Sequence, residues 1–117
     1  MQYVLLIYDD PKQWENIEPA QMESIYGEYM AVSQLPNTTG GSQLQPTDTA
    51  RSVRVKNGET IVTDGPFAET KEALGGFYVI EADSTAEAAA IAARVPSARM
   101  GGTVEIRPVV DNAEYRE

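Results

Sequence analysis

The hydrophobic positions at the start of the chain predict a strand that is buried on both sides. Residues 2–8 have no polar face, and a strand covered on both faces has this composition. One face of this strand carries Tyr3, Leu5 and Ile7, and the other carries Val4, Leu6 and Tyr8. Asp9-Asp10-Pro11 ends the strand. We interpret the two acids as a turn, although adjacent carboxylates could also hold a hard cation.

Apolar positions at helical spacing predict two helices. The first runs from about Pro19 to Gln34, and its proline suits a first turn. Its apolar face comprises Met22, Ile25, Tyr26, Tyr29 and Met30. Just before it, Trp14 and Ile17 either pack over the helix start or form a turn of their own. The second helix opens with the capping box Ser84–Glu87 and continues to about Arg94. Its buried face comprises Ala88, Ile91, Ala92 and Val95.

Five further strands are predicted, joined by turn residues. Their ranges are 40–45 (weakly signalled), 50–56, 59–63, 76–81 and 102–109. Asn57-Gly58 is a strong two-residue hairpin turn. The order is strand, helix, two strands, an inserted hairpin arm, strand, helix, strand. This predicts an α+β fold, a ferredoxin-like split βαβ arrangement with an inserted β-hairpin arm.

The same pattern predicts a homodimer. Two helices can cover only one face of such a sheet, whereas residues 3–8 and 77–80 are apolar on both faces. A large exposed apolar sheet is unusual for a soluble monomer. Association of two sheets face to face is the simplest way to cover the second face, and two-fold dimers are the commonest kind.

Length and composition limit what this chain can be. Its 117 residues, 42% of them hydrophobic, predict one domain over residues 1–110 with a polar tail at 111–117. No run approaches the ~20 apolar residues of a membrane span, and residues 3–8 are too few for a signal-peptide core. We therefore expect a cytoplasmic protein with no membrane partner.

Two residue types are absent and the charge is acidic. Without Cys or His the chain has no thiolate nucleophile, no Ser-His-Asp triad and none of the usual ligands for zinc or copper. We expect no metal and no cofactor, although a carboxylate site for magnesium or calcium stays open. A net charge of −9 argues against a nucleic-acid partner, because phosphate binding needs a basic face.

The segment 63–77 holds more polar chemistry than a connection between strands requires. Asp64 is a candidate general base, because a carboxylate against apolar surface has a raised pKa. It could instead bond its own backbone and fix the Asp-Gly-Pro turn. The neighbouring candidates for a ligand pocket are Gly65, Pro66, Phe67, Glu69, Lys71 and Glu72. The charged members of this set could equally form a solvated face.

Three residues outside that segment are also candidates for ligand binding. Arg54 and Arg107 lie on predicted strands and would suit a carboxylate if they face a cleft; otherwise they are surface charges. Tyr8 could offer a hydroxyl group. Tyr26 and Tyr29 are assigned to the core because of their helical spacing.

Several of these motifs together resemble the DGPF or YCII-related family. They are Asp64-Gly65-Pro66-Phe67, then Glu69, Lys71, Glu72 and Leu74-Gly75-Gly76-Phe77, together with the 3–8 strand, 43–46, 53–54 and 105–108. The resemblance implies a small bacterial cytoplasmic protein that dimerises as an α/β barrel. It also implies a functional link to an extracytoplasmic-function sigma factor. A His-Asp pair attributed to some relatives cannot exist in this chain.

Two functional hypotheses follow. The first is a module that binds a small organic molecule, anionic molecules included, in a cleft bordered by the DGPF segment. The second is a small lyase or isomerase in which Asp64 is the base and Arg54 or Lys71 holds an anionic group. A purely structural protein is a weaker third hypothesis.

Overall fold

The chain forms a mixed α+β structure, as the alternation of elements predicts. The computed structural model describes residues 1–65 and 72–111. The strands are β1 (Gln2–Asp9), β2 (Thr38–Gln43), β3 (Arg51–Lys56), β4 (Glu59–Asp64), β5 (Ala73–Glu81) and β6 (Thr103–Pro108). The helices are α1 (Pro19–Ser33) and α2 (Thr85–Ala92). Short 3-10 turns lie at Pro11–Trp14, Thr47–Thr49 and Pro96–Ala98.

Four strands form one antiparallel sheet in the order β2-β5-β1-β6. The last strand, β6, thus pairs with one edge of β1, and β5 pairs with the other edge, with β2 beyond it. This order is consistent with a ferredoxin-like α+β fold. β3 and β4 form a separate two-stranded sheet, which is inserted between β2 and β5 along the chain.

The core lies between one face of the four-stranded sheet and the two helices. Tyr3, Leu5 and Ile7 of β1 are buried there, and α1 contributes Val32. The buried face predicted for the second helix is confirmed, because all four predicted residues are buried, the last of them just after the end of α2: Ala88, Ile91, Ala92 and Val95. The opposite face of the sheet, which we call the second face, carries Val4, Leu6, Phe77 and Val79, each half-buried.

The prediction for α1 was correct in extent and partly wrong in its face. Tyr26 and Met30 were expected inside, but each is 57% exposed. The buried positions are Ile25 and Val32, with half-buried Tyr29 between them. Positions 25, 29 and 32 are four and three residues apart and make one stripe, which points about 100° away from the stripe through positions 26 and 30.

The predicted ends of several elements shift by one to three residues. β5 begins at Ala73 and not at 76, because a bulge between its pairings with Ile7 and Tyr8 lets the strand continue through Gly75. α2 ends at Ala92, two residues earlier than predicted. Beyond it, backbone hydrogen bonds span three residues and not four, from Arg94 N–H to Ile91 and from Val95 N–H to Ala92, and lead into the turn at Pro96. Trp14 belongs to a 3-10 turn of its own, the second of the two alternatives.

The hairpin turn between β3 and β4 has the predicted geometry. Asn57 and Gly58 have φ of 52° and 80°, and a type I′ turn requires positive φ at both positions. We call residues 51–64 the arm. Across residues 1–65 and 72–111, no helix is long and apolar enough to span a membrane.

Candidate functional site

The end of β1 brings a carboxylate to the helix-covered side of the sheet. Asp9 follows Ile7 on that face, because side chains alternate along a strand. Its Oδ2 atom lies directly over Gly75, where an added Cβ would overlap it. The bulge at Gly75 and the absence of a side chain there make room for Asp9. Bulges that redirect a side chain are frequent beside active sites.

Three polar side chains from three other segments form a hydrogen-bond network with this carboxylate. We call the four residues the Asp9 cluster: Asp9, Gln13, Tyr29 and Ser97. The Ser97 hydroxyl donates to Asp9 Oδ1 in a short hydrogen bond. Gln13 Nε2 donates to Asp9 Oδ1 at 2.8 Å and to Ser97 Oγ at 3.1 Å. The Tyr29 hydroxyl lies 2.8 Å from Ser97 Oγ.

The donors and acceptors of the cluster are consistent with one arrangement of protons. Since Ser97 uses its only proton on Asp9, the Tyr29 hydroxyl donates to Ser97 Oγ. Gln13 Oε1 accepts from the Asp10 N–H at 3.1 Å, which fixes the orientation of its amide. The result is a chain of hydroxyl groups from Tyr29 through Ser97 to Asp9. Such a chain can orient a polar ligand group or pass a proton toward the carboxylate.

Burial makes the two tyrosines of this region weak acids. Burial raises the pKa of Tyr29 above its ordinary value of 10.0; the Ser97 hydrogen bond opposes this, and the charge of Asp9 adds to it. Burial also raises the pKa of Tyr78, and the neighbouring Tyr29 contributes. The Tyr78 hydroxyl donates to the backbone carbonyl of Tyr29 at 2.9 Å. Both phenols therefore stay neutral donors near pH 7.

Tyr29 should make the protein less stable in alkali. A raised pKa in the folded state means that the native protein holds its proton more tightly than the unfolded chain does. This contribution is full below the unfolded value of about 10 and is lost as the pH rises through the higher folded value. Unfolding by denaturant from pH 8 to 11 should show a falling free energy of unfolding.

The control for this pH dependence lies on the same helix. Tyr29→Phe should lessen the alkaline fall, to which Tyr78 also contributes, and should cost about 0.5–1.5 kcal/mol at neutral pH, the usual net worth of a hydrogen bond. Tyr26→Phe, at an exposed position, should leave the profile unchanged. Equal profiles for wild type and Tyr29→Phe would show that Tyr29 does not carry the effect.

A groove of about 310 Å³ lies between α1 and the turn after α2, and its lining includes Glu28 and Arg99, which are near Tyr29 and Ser97 along the chain. It is lined by Ile17, Gln21, Ser24, Ile25, Glu28, Arg99 and Met100. Glu28 pairs with Arg99 across it. The charge of Arg99 also acts on the Tyr29 hydroxyl, whose pKa it lowers slightly against the effect of burial. A groove that combines apolar side chains with an arginine suits a small organic anion.

Three of the residues proposed from the sequence, Tyr8, Glu72 and Arg107, lie on the second face or beside it. Tyr8 is paired with Thr103 across β1 and β6. The Thr103 hydroxyl donates to Glu72 at 3.2 Å. Arg107 is exposed and its Nε donates to Glu105 at 2.9 Å; this hydrogen bond and the carboxylate charge raise the pKa of Arg107. These groups are thus on the side of the sheet away from the Asp9 cluster.

Three others lie on or directly after the arm. Asp64, the proposed base, is 93% exposed, and its carboxylate lies 3.2 Å from Arg51 Nε. Gly65 has φ of 82°, the left-handed conformation expected of a turn glycine, and its carbonyl accepts from Ser52. Arg54 is exposed on β3. Asp64 is therefore an exposed carboxylate beside a cation.

The remaining proposed residues, Pro66, Phe67, Glu69 and Lys71, lie outside the described residues. The expectation that the DGPF segment borders a ligand cleft stays a prediction.

The sequence pattern alone does not indicate the Asp9 cluster. It assigns Asp9 to a turn and Tyr29 to the core, and it singles out neither Gln13 nor Ser97. One signal was present in the Gly75-Gly76 pair, because glycine inside a strand marks a bulge or a close approach. Ser97 was harder to find, since 88 residues separate it from Asp9.

Comparison with known proteins identifies the family of this chain. The sequence model of the YCII-related domain family matches residues 1–113. An uncharacterized protein of Rhizobium meliloti (strain 1021) is 37% identical over 114 residues, which cover 93% of this chain and 92% of that protein. The chain therefore belongs to the YCII-related domain family, and the resemblance carried by the DGPF segment is confirmed.

Proposed function

We propose that this member of the YCII-related family binds a small organic molecule, most readily a small anion, in the groove beside the Asp9 cluster. The observation that carries the proposal is the cluster itself. Ser97 is fully buried, and it forms one hydrogen-bond network with polar side chains from three other segments. Folding such a network has a desolvation cost that an apolar core would avoid, and buried networks next to a groove commonly orient a ligand.

The groove supports an anionic ligand over a neutral one. Among the described residues of its lining Arg99 is the one cation, and it is paired with Glu28. A ligand carboxylate could take the place of Glu28 on the guanidinium group, which binds carboxylates in a two-point geometry. The nearby Tyr29 hydroxyl is neutral and adds no like charge beside an anionic ligand.

We also propose that the protein is a homodimer associated through the second face. The support is the half-buried apolar set Val4, Leu6, Phe77 and Val79. No helix among residues 1–65 and 72–111 packs on that side, because the helices share the core with the opposite face. The groove lies beside the helices and the second face is on the other side of the sheet, so the two proposals are tested separately.

A second candidate function is a small lyase or isomerase with Asp64 as general base. The observation that favours it is the ion pair with Arg51 at 3.2 Å, because a base beside a cation could hold and deprotonate an anionic substrate. Its 93% exposure argues against it, since a base tuned near neutral pH is normally desolvated.

The test is a thermal-stability screen against small carboxylates and other metabolites. A ligand at 100 times its dissociation constant adds about 2.7 kcal/mol, which for a domain of this size raises Tm by roughly 10 °C. The compounds that stabilise the wild type should lose most of this effect with Arg99→Gln or Tyr29→Phe. They should keep it with Asp64→Asn and with the matched control Arg94→Gln, which removes an exposed arginine outside the groove.

The opposite pattern of variants would decide for the second candidate. Stabilisation that survives Arg99→Gln and Tyr29→Phe but disappears with Asp64→Asn would move the site to the arm and the DGPF segment. A screen in which no small organic molecule stabilises the wild type would count against both candidates.

A further inference from the structure

Among the described residues, the two strands of the arm join no other sheet. β3 and β4 pair only with each other, and the bonds at their base, from Gly65 N–H to Ala50 and from Ser52 to Gly65, are internal as well. An isolated two-stranded hairpin is marginally stable in water. The radius of gyration is 16.5 Å, against about 13 Å for a compact domain of this length, as expected when an arm projects from the body.

One face of the arm is apolar and exposed. In the β3–β4 register Val53 is opposite Val62, and Val55 is opposite Thr60, so that these four side chains share a face. Val53, Val55 and Val62 are 60%, 70% and 59% exposed. The other face is mainly polar and carries Ile61 among charged and hydroxyl side chains.

The arm also differs from the rest of the chain in charge. It holds three of the nine basic residues and only two of the eighteen acids. Its net charge is therefore +1, while the remainder of the chain carries −10. A projecting segment that is apolar on one face and slightly basic complements a strongly acidic body with a half-buried apolar sheet face.

From these three features we infer that the arm is an intermolecular element, which packs its valine face on the body of a second copy of this chain. The second copy is the occupant because it supplies the opposite charge and an uncovered apolar face in the same molecule. A two-fold axis then gives two such contacts per dimer, each arm lying across the other subunit. The inference rests on the dimer proposed above and assigns the arm a role in it.

A triple substitution on the valine face tests this contact. In V53T/V55T/V62T one of the two methyl groups of each valine becomes a hydroxyl, while the branched shape and strand preference are kept. Sedimentation equilibrium should show a dissociation constant raised roughly 100-fold. Ile61→Thr, on the other face, should change it by less than about threefold. For the wild type, added salt should raise the dissociation constant, since screening weakens attraction between opposite charges.

A second measurement covers the case in which the triple variant does not fold. The chain has no cysteine, so Val55→Cys introduces a single thiol. Its alkylation by a maleimide should slow by roughly tenfold as the protein concentration passes the dissociation constant. Ile61→Cys should react at one rate throughout.

Three results would overturn the inference. They are a monomeric wild type at micromolar concentration, a triple variant that dimerises like the wild type, and a Val55→Cys thiol that reacts at a concentration-independent rate. Each leaves the ligand proposal intact, because stabilisation by a small molecule in the groove is measured separately.

Discussion

The Val79→Asp protein should be a folded monomer. Val79 lies on β5, paired with Val4 of β1 on the second face of the sheet. In a single chain its side chain is only half-buried, so that an aspartate can reach water in the monomer. In a dimer formed through this face the carboxylate would be buried without a partner, at a cost of several kcal/mol.

The effect is doubled because the interface is two-fold. Each dimer would bury two aspartates, and each 1.4 kcal/mol changes the dissociation constant tenfold. We therefore expect the dissociation constant to rise roughly a thousandfold or more, measured by light scattering over a range of concentrations. Far-UV circular dichroism should be close to that of the wild type.

The matched control is Ala90→Asp, which adds the same charge at an exposed position of α2 and should leave the dimer unchanged. A Val79→Asp protein that remains dimeric at micromolar concentration would contradict association through the second face. Leu6→Asp, on the neighbouring central strand, provides an independent second variant with the same expected outcome.

The secondary structure was largely predictable because its signals are local. Each clear signal depends on residues that are close together in the sequence. The examples are the double apolar pattern of β1, the Asn57-Gly58 turn and the apolar stripe of α2. α1 was harder, since tyrosines and methionines surround its helix and any of several stripes could face the sheet. The position of Val32 against the core, and not the period alone, decides which stripe is buried.

The candidate site was not predictable in the same way, because its contacts join distant parts of the chain. Gln13 and Ser97 are 84 residues apart, and Tyr29 and Ser97 are 68. None of these residues has an unusual local pattern. The sequence emphasises the DGPF segment, where polar residues are dense, whereas the buried polar network forms where β1, α1 and the turn after α2 meet.

Gly75 is visible in the sequence and also makes room for the Asp9 cluster, so replacing it should have a large effect. Gly75→Ala would place a Cβ against Asp9 Oδ2. Either the carboxylate moves and loses its bonds from Ser97 and Gln13, or the strand shifts at the bulge. Overpacking typically costs 1–3 kcal/mol and hydrogen bonds to a charged group about 1.5–3 kcal/mol. We expect a loss of about 2–4 kcal/mol in the free energy of unfolding.

A double-mutant cycle separates this clash from the general effect of adding a methyl group. In an Asp9→Ala background the overlapping atom is gone, and the next neighbour, the Ile7 carbonyl oxygen, is 3.9 Å from the added Cβ. Gly75→Ala should then be nearly neutral, so that the coupling free energy between positions 9 and 75 reaches at least about 1.5 kcal/mol. Urea unfolding of the four proteins measures it.

Gly27→Ala provides the control for glycine replacement itself. Gly27 lies within α1, and an added Cβ would meet nothing within 4 Å. Alanine should therefore stabilise the protein by about 0.5–1 kcal/mol, because glycine is the poorer helix former. If Gly75→Ala were equally harmless, or equally harmful with and without Asp9, the glycine would not be making room for the carboxylate. The Asp9 cluster would then owe its geometry to α1 and the turn at Ser97 alone.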